Sequence, residues 1–241
     1  MLNISTNLIT KLFSRKNWLI FTFLIITAFA ISIRMGIWQY ERHISRVAFN
    51  DSVTYALSKQ SETLNFEKTD YQEWQKVTIQ GTFEEGTQAL VRRRYFEGQL
   101  GFWVVAKFAT DKGEIVLVNR GFTPATMAAN LSPEVSQPSF GQQTIEGYLQ
   151  KIEPDKSKPT DLPEGQVSAI NFEQFSLSER DFEFYLHQIN TDEDLQAINP
   201  PQLSYGPHLA YSLQWFAFAF MIVVGWFILT KKELLELNKS N

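Results

Sequence analysis

The chain has 241 residues, contains no cysteine and carries a net charge of −4 with histidine neutral. The lack of cysteine excludes disulfides, thiolate metal sites, iron–sulfur clusters and thiol redox chemistry. The acidic balance disfavours a nucleic-acid partner.

The first apolar segment runs from Trp18 to Ile33 without a charge and continues through Arg34 to Trp38. It is longer than the core of a typical signal peptide, and no Ala-x-Ala-like cleavage site precedes Gly36. We therefore interpret it as an uncleaved membrane span. Because Arg34 lies near the far end of this span, we expect its guanidinium to reach the headgroups.

The second apolar segment follows His208 and is uncharged over the 22 residues from Leu209 to Thr230. About 20 helical residues cross a hydrocarbon layer of ~30 Å, so this segment is also long enough to span. Helical spacing places Tyr211 and Trp215 on the same face as His208. Two interpretations of His208 stay open: a ligand or proton-handling group at the membrane edge, or a boundary histidine bonded to a neighbour or to water.

Charge predicts the topology. Residues 39–207 carry 15 Lys and Arg against 24 Asp and Glu, whereas the two ends together carry 7 against 2. The positive-inside tendency places both ends in the cytoplasm (or the matrix) and the acidic domain on the other side. The predicted organisation is a cytoplasmic tail (1–17), a span (18–38), an extracytoplasmic domain (39–207), a second span (208–230) and a short cytoplasmic tail (231–241).

The first part of the outer domain, Gln39–Lys59, has a ragged apolar face, which predicts that the first helix continues out of the membrane. Arg42 and Arg46 lie one turn apart on it. This pair could meet a carboxylate, a lipid phosphate or a cofactor propionate, or it could form a solvated face near anionic headgroups.

Period-two alternation of apolar residues then predicts strands, with turns between them. The predicted strands cover 77–83, 87–91, 102–108, 114–120, 144–151 and 184–189. The basic run Arg92-Arg93-Arg94 is expected at a solvated hairpin edge, and Gly121 is expected to make a turn. The predicted fold class is α+β: two transmembrane helices that bracket a β-rich domain, either a small barrel or a curled antiparallel sheet.

A search for catalytic motifs finds no nucleophile elbow, phosphate-binding loop, zinc-protease motif or dinucleotide fingerprint. The three histidines are His43, His187 and His208, and nothing in their positions predicts a shared metal site. We therefore do not expect an enzyme.

Four segments of the sequence resemble motifs of the surfeit locus protein one (Shy) family, and they occur in the order and at the spacing of that family. Residues 35–42 (MGIWQYER) resemble its Gly-x-Trp-Gln-x-x-Arg signature, and residues 98–102 (GQLGF) its Gly-x-x-Gly-aromatic motif. Residues 116–124 (VLVNRGFTP) resemble Val-Asn-Arg-Gly-Trp-x-Pro, and residues 208–216 (HLAYSLQWF) resemble His-x-x-Tyr-Ala-x-Gln-Trp-Phe. The departures are Phe122 for Trp, Ser212 for Ala, and Gly206-Pro207 where polar residues often precede the histidine.

The resemblance implies a non-enzymatic assembly factor for a haem–copper terminal oxidase, usually cytochrome c oxidase, acting while haem a reaches the catalytic subunit. The implied partners are that subunit, other assembly factors and membrane lipid. The implied location is the bacterial inner membrane with a periplasmic domain, or the mitochondrial inner membrane in a eukaryote. The family's haem-binding members imply His208 as the iron ligand, in a site with the further residues Trp38, Arg42, Arg46, Tyr211 and Trp215.

Structural roles are expected for the remaining motif residues, which are Gly36, Gln39, Gly101, Arg120, Gly121 and Pro124. For Arg120 this role is hydrogen bonding within the sheet. Two alternatives to haem handling stay open: a cofactor-free membrane scaffold that docks oxidase subunits, and an orphan periplasmic binding domain.

Overall fold

The computed structural model describes residue 10 and residues 12–125, 133–152, 162–178 and 182–239. The chain divides into a helical unit, Met1–Asp51 with Leu203–Asn241, and a barrel unit, Ser52–Gln202. Most of the predicted N-terminal tail, residues 1–9 and 11, lies outside the described residues.

Two long helices make up the helical unit: α1 (Lys16–Ser58), whose last residues belong to the barrel unit, and α2 (His208–Lys239). Neither contains a proline, and α2 starts directly after Pro207, whose carbonyl accepts the Tyr211 N–H at 3.0 Å. Proline is tolerated there because a helix start has no use for that N–H. The predicted continuation of the first helix beyond Trp38 is confirmed, and α2 likewise continues beyond Thr230.

Both helices are long and apolar enough to cross a membrane. Their outward side chains are large and apolar; Phe23 and Phe220, for example, are 67% and 70% exposed. Such a continuous apolar surface would be costly in water but is what a hydrocarbon environment requires. The prediction of two helices able to span a membrane, one on each side of the β-rich domain in the sequence, is therefore confirmed.

A closed five-stranded barrel forms the centre of the barrel unit. The described residues of this unit contain eight strands: β1 (Glu62–Thr63), β2 (Lys76–Phe83), β3 (Ala89–Phe96), β4 (Gln99–Thr110), β5 (Ile115–Pro124), β6 (Gln143–Lys151), β7 (Gln166–Val167) and β8 (Phe184–Gln188). Strands β2, β6, β8, β5 and β4 pair in that order, and a further β2–β4 pairing closes the ring. The α+β class and the small barrel are confirmed.

The barrel core follows from the alternation seen in the sequence. Val77, Ile79 and Phe83 of β2 are buried, and they pack with Ile145 and Leu149 of β6 in one apolar cluster. A second cluster, which includes Leu117 of β5 and Tyr185 of β8, covers the opposite face of β5 and β8. Because neighbouring residues of a strand face opposite ways, each strand of the β5–β8 pair contributes to both clusters.

The predicted position of the basic run is wrong in two respects. Strand β3 does not end before Arg92 but continues to Phe96, with a bulge between Val91 and Arg94. Arg94 is also half-buried rather than solvated at an edge, and its guanidinium carbon lies 4.5 Å from the centre of the Trp103 ring. Bulges redirect side chains in this way, and Arg93 within the bulge has a φ of 56°.

Gly121 is likewise not in a turn but inside β5, which continues to Pro124. Val104 pairs with Gly121 and Val105 pairs with Asn119, so Arg120 is the extra residue of a β-bulge. Gly121 has a φ of 150°, and a Cβ on it would lie 2.8 Å from the Gln196 carbonyl oxygen. Glycine is required at this position by both the backbone angle and the close approach.

Candidate functional site

The two helices of the helical unit meet at a seam of small and polar residues. Ser212 is buried, and its hydroxyl donates a 2.9 Å hydrogen bond to the Gly36 carbonyl oxygen. A Cβ on Gly36 would lie 2.8 Å from Cε1 of Phe216, so only glycine lets that ring pack against α1. Close approach through small residues is a common way for helices to associate in lipid.

His208 lies at the end of this seam where α2 begins. Its Nδ1 lies 2.9 Å from Oε1 of Gln39, and the imidazole is half-buried. An amide oxygen can only accept a hydrogen bond, so this contact places the imidazole proton on Nδ1. Nε2 then carries the free lone pair, and a lone pair on a neutral imidazole is what a metal ligand requires.

Gly206 lies beside the same edge of the imidazole. Its φ is 62°, and a Cβ built on it would be 3.3 Å from Cδ2 and 3.5 Å from Nε2 of His208. The absence of a side chain at this position therefore leaves room beside the nitrogen that bears the lone pair. At Gly206-Pro207, where the family pattern often has polar residues, this chain therefore has no side chain beside Nε2 of His208 at position 206.

The arginines predicted for the site lie on α1 and contact aromatic rings of the same helix. The Arg42 guanidinium carbon lies 5.5 Å from the centre of the Trp38 ring, and that of Arg46 lies 5.8 Å from the centre of the Phe49 ring. Both arginines are exposed. Cation–π contacts of this kind leave the N–H donors of a guanidinium free for an anionic group.

The predicted aromatic residues of α2 are placed differently from each other. Tyr211 is 48% exposed, and Trp215 is half-buried with its ring centre 5.7 Å from that of Phe218. Among the described residues, no hydrogen bond or ring contact joins Arg46, Tyr211 or Trp215 to His208. The structure thus brings Gln39 to His208 and Arg42 to Trp38.

A second histidine, His187, lies on the outer face of the barrel in an aromatic setting. Its ring centre is 5.2 Å from those of Trp103 and Tyr185 and 6.0 Å from that of Trp74, on which it stacks. Trp74 has a φ of 67°, unusual for a tryptophan. Burial, together with the positive charge of Arg94, lowers the pKa of His187 to about 3. The imidazole is therefore neutral at physiological pH.

Asn119 fixes the tautomer of His187. Its Oδ1 accepts the Gly121 N–H at 3.1 Å, which turns its Nδ2 toward Nδ1 of His187 at 2.9 Å. Since Nδ2 donates, Nδ1 of His187 accepts and the ring proton is on Nε2. No group of three or more His, Asp or Glu side chains that could hold a metal occurs in the described ranges.

The prediction that Arg120 forms hydrogen bonds within the sheet is wrong. Its side chain instead connects three loop segments to β5. It is 1% exposed and donates to the Gln88 side chain, to the Ser136 carbonyl oxygen at 2.8 Å and to the Asp192 carboxylate. The Ser136 backbone N–H donates to Asp194 and is the main cause of the lowered pKa of that carboxyl. The position of Arg120 in a bulge explains why its side chain leaves the regular alternation.

The two central motifs also meet each other. Gly101 pairs with Pro124 across β4 and β5. A Cβ on Gly101 would lie 2.5 Å from Cζ of Phe122 and closer still to the Thr123 carbonyl oxygen. The structure thus pairs the first motif with the fourth in the helical unit, and the second with the third in the barrel unit.

Sequence reasoning missed Gln39 and Gly206 as neighbours of the histidine, and Asn119 and Asp192 as partners in the barrel. A signal for Gln39 was present, because it lies three residues after Gly36 and therefore on the same helix face. The partners of Asn119 and Asp192 depend on the bulge at Arg120, which no local pattern predicts.

Comparison with known proteins gives a consistent result. The family model described as the SURF1 family matches residues 26–220. A SURF1-like protein of Mycobacterium tuberculosis is 29% identical over 165 residues, 64% of this chain and 58% of that protein. The chain therefore spans less than two thirds of the length of the mycobacterial relatives it matches.

Two other relatives are covered more fully. SURF1-like proteins of Monosiga brevicollis and Rickettsia bellii are 23% and 28% identical, over 84% and 83% of this chain and 84% and 86% of theirs. The family match runs from α1 through the barrel into α2 and includes all four paired motifs, from Gly36 to Phe216. The chain therefore belongs to the SURF1 family.

Proposed function

We propose that this chain is a membrane-anchored assembly factor for a haem–copper terminal oxidase, and that it holds haem a as cargo at His208 before the haem reaches the catalytic subunit. The observation that carries the proposal is the contact between His208 and Gln39, which leaves the lone pair of Nε2 free to ligate iron. Family membership supports the oxidase as the target. The role is binding and handover rather than catalysis.

The residues around His208 fit such a cargo chemically. A neutral imidazole nitrogen is a common axial ligand of haem iron. Because residue 206 is glycine, no side chain at that position lies beside this nitrogen. Arg42, one turn from Trp38 on the same helix, offers a charged donor that suits a propionate. Trp38, next to Gln39 on α1, and Tyr211 and Trp215, in the first turns of α2, provide aromatic surface on adjacent parts of the two helices.

Absorbance of the purified, detergent-solubilised chain tests this proposal. The chain from haem-replete cells should show a haem absorption band, which His208→Ala should abolish. His43→Gln is the matched control, since it removes another histidine of the same unit and should keep the band. A colourless wild type, or a band that His208→Ala leaves unchanged, would refute haem binding at this position.

The proposed topology places both termini in the cytoplasm (or matrix) and the barrel unit on the opposite side. It is supported by the basic ends and the acidic centre of the chain. Because the chain has no cysteine, single cysteines can report on accessibility. A membrane-impermeant maleimide should label Asp111→Cys in intact spheroplasts and Lys239→Cys only after permeabilisation. The reverse pattern would invert the topology.

A cofactor-free scaffold is the second candidate. It is favoured by exposed apolar side chains at the β3–β4 hairpin, where Tyr95 is 71% exposed and Leu100 also protrudes. Exposed aromatic groups are typical of protein contacts. If the wild-type chain is colourless but co-purifies with oxidase subunits, and Tyr95→Ser abolishes co-purification, the scaffold is the correct function.

A further inference from the structure

We propose that Gln39 is the positioning residue of the histidine site: it holds the Nδ1–H of His208 so that Nε2 is the nitrogen that ligates iron. This inference rests on the proposed function, because it assigns a role to Gln39 only if His208 is a ligand. Gln39 contacts the imidazole and would act on the iron only through it.

The first step of the argument is the register of the two helices. Ser212 donates to the Gly36 carbonyl oxygen at 2.9 Å, and His208 contacts Gln39 at 2.9 Å. Gly36 and Gln39 are three residues apart on α1, while His208 and Ser212 are four residues apart on α2. The two cross-helix hydrogen bonds are therefore one turn apart on both helices, and together they fix the height and rotation of α1 against α2.

The second step concerns the imidazole. Without an acceptor at Nδ1, the two neutral tautomers and several ring orientations would compete, and only part of the population would present a lone pair on Nε2. The Gln39 oxygen selects one tautomer and one ring plane. Such a partner at the second nitrogen also raises the basicity of the ligating nitrogen.

The third step is that the remaining neighbours favour the same nitrogen. Nδ1 is occupied by Gln39, whereas the Cδ2–Nε2 edge faces the position where Gly206 lacks a side chain. One residue thus blocks the wrong nitrogen, and the other leaves the correct one accessible. Gln39 lies within α1 and Gly206 lies just before the start of α2, so the arrangement requires the paired helices.

Haem titration of the purified full chain tests the inference, with affinity and midpoint potential as readouts. Gln39→Leu should weaken haem binding by roughly 10- to 100-fold, the typical loss when such an outer partner is removed. Gln39→Glu keeps the volume and supplies a stronger acceptor, so it should restore affinity and shift the midpoint potential to more negative values. This potential shift distinguishes positioning from a purely structural role.

Ser212→Ala is the matched control, because it removes the other cross-helix bond, leaves the Gln39–His208 contact in place and introduces the residue that is usual in the family. It should retain most of the haem affinity, and circular dichroism should show that all variants keep their helices. If Gln39→Leu binds haem like the wild type and Gln39→Glu does not shift the potential, the inference is overturned. If His208→Ala binds haem as well as the wild type does, the proposed function itself is wrong.

Discussion

Asn119 and His187 lie in register on the parallel strands β5 and β8, with Nδ2 of the amide 2.9 Å from Nδ1 of the imidazole. The Gly121 N–H holds the amide in the orientation that donates. The motif that includes residues 119–121 therefore has two structural roles. Asn119 holds a neutral histidine among aromatic rings, and Arg120 connects loops to the barrel.

The buried imidazole predicts a pH-dependent stability. Because the folded-state pKa of His187 is about 3 and the unfolded value is about 6.5, the unfolded chain binds more protons between these values. The contribution of this group to the free energy of unfolding is therefore constant above pH 6.5. It falls by about 1.4 kcal/mol per pH unit as the pH drops toward 3. Thermal unfolding of the detergent-solubilised chain between pH 7 and pH 4 measures the slope.

The control for this prediction is a comparison of two histidine variants. His187→Phe fills the aromatic site without a titratable group, so it should flatten the slope in this range, whereas His43→Gln should leave the slope as in the wild type. Equal slopes in the wild type and His187→Phe would contradict the assignment of the effect to His187.

The close contact between Gly36 and Phe216 predicts that added side-chain volume at position 36 destabilises the helix seam. Gly36→Ala places a Cβ 2.8 Å from Cε1 of Phe216, and overpacking of this kind costs typically 1–3 kcal/mol. Gly225→Ala is the matched control, because a Cβ at this helical position of α2 has no atom within 4 Å. The melting temperature should fall for Gly36→Ala and stay constant or rise for Gly225→Ala; a similar fall in both would mean that the seam is not the cause.

The three acceptors of Arg120 predict that a positive charge alone is not sufficient for stability at this position. Arg120→Lys keeps the charge, but a single ammonium cannot reach the acceptors at Gln88, Ser136 and Asp192 as a planar guanidinium does. We expect a loss of about 1–3 kcal/mol in the free energy of unfolding. The exposed Arg93 provides the control: Arg93→Lys should stay within about 0.5 kcal/mol of the wild type.

The close packing of Gly101 predicts that the contact between the two central motifs contributes to the stability of the barrel. Gly101→Ala forces a Cβ against the Phe122 ring and the Thr123 carbonyl oxygen, so β4 and β5 must separate locally. We expect a loss of at least 1–3 kcal/mol in stability, measured by denaturant unfolding. Gly98 has a φ of 80° and open space around it, so Gly98→Asn, which tolerates this angle, should be nearly neutral.

The elements that depend on local periodicity could be predicted from the sequence. Alternation identified β2 and β6 because one face of each strand packs into the barrel core. Length and hydropathy identified the apolar parts of α1 and α2. The β2–β4 pairing that closes the barrel could not be predicted, because it joins strands whose contact is set by the curvature of the whole sheet.

The candidate site was predicted only in part, for a similar reason. His208 was identified from its place at the start of an apolar run and from the family motif. Its partner Gln39 was assigned a structural role, because the helix face that Gln39 shares with Gly36 does not by itself reveal which residue of α2 it contacts. The bulge at Arg120 shifts the face of each following residue of β5, so simple alternation gives the wrong orientation beyond it.

The seam between α1 and α2 has a consequence for biosynthesis. Its two hydrogen bonds join residues that are 169 and 176 positions apart in the chain. At typical translation rates of about 5–20 residues per second, the ribosome needs roughly 10–30 s to produce the intervening segment. During that interval α1 has no α2 to pack against, and the face around Gly36 is available to any other helix that it meets. The contact between His208 and Gln39 therefore forms last, once α2 has been synthesised.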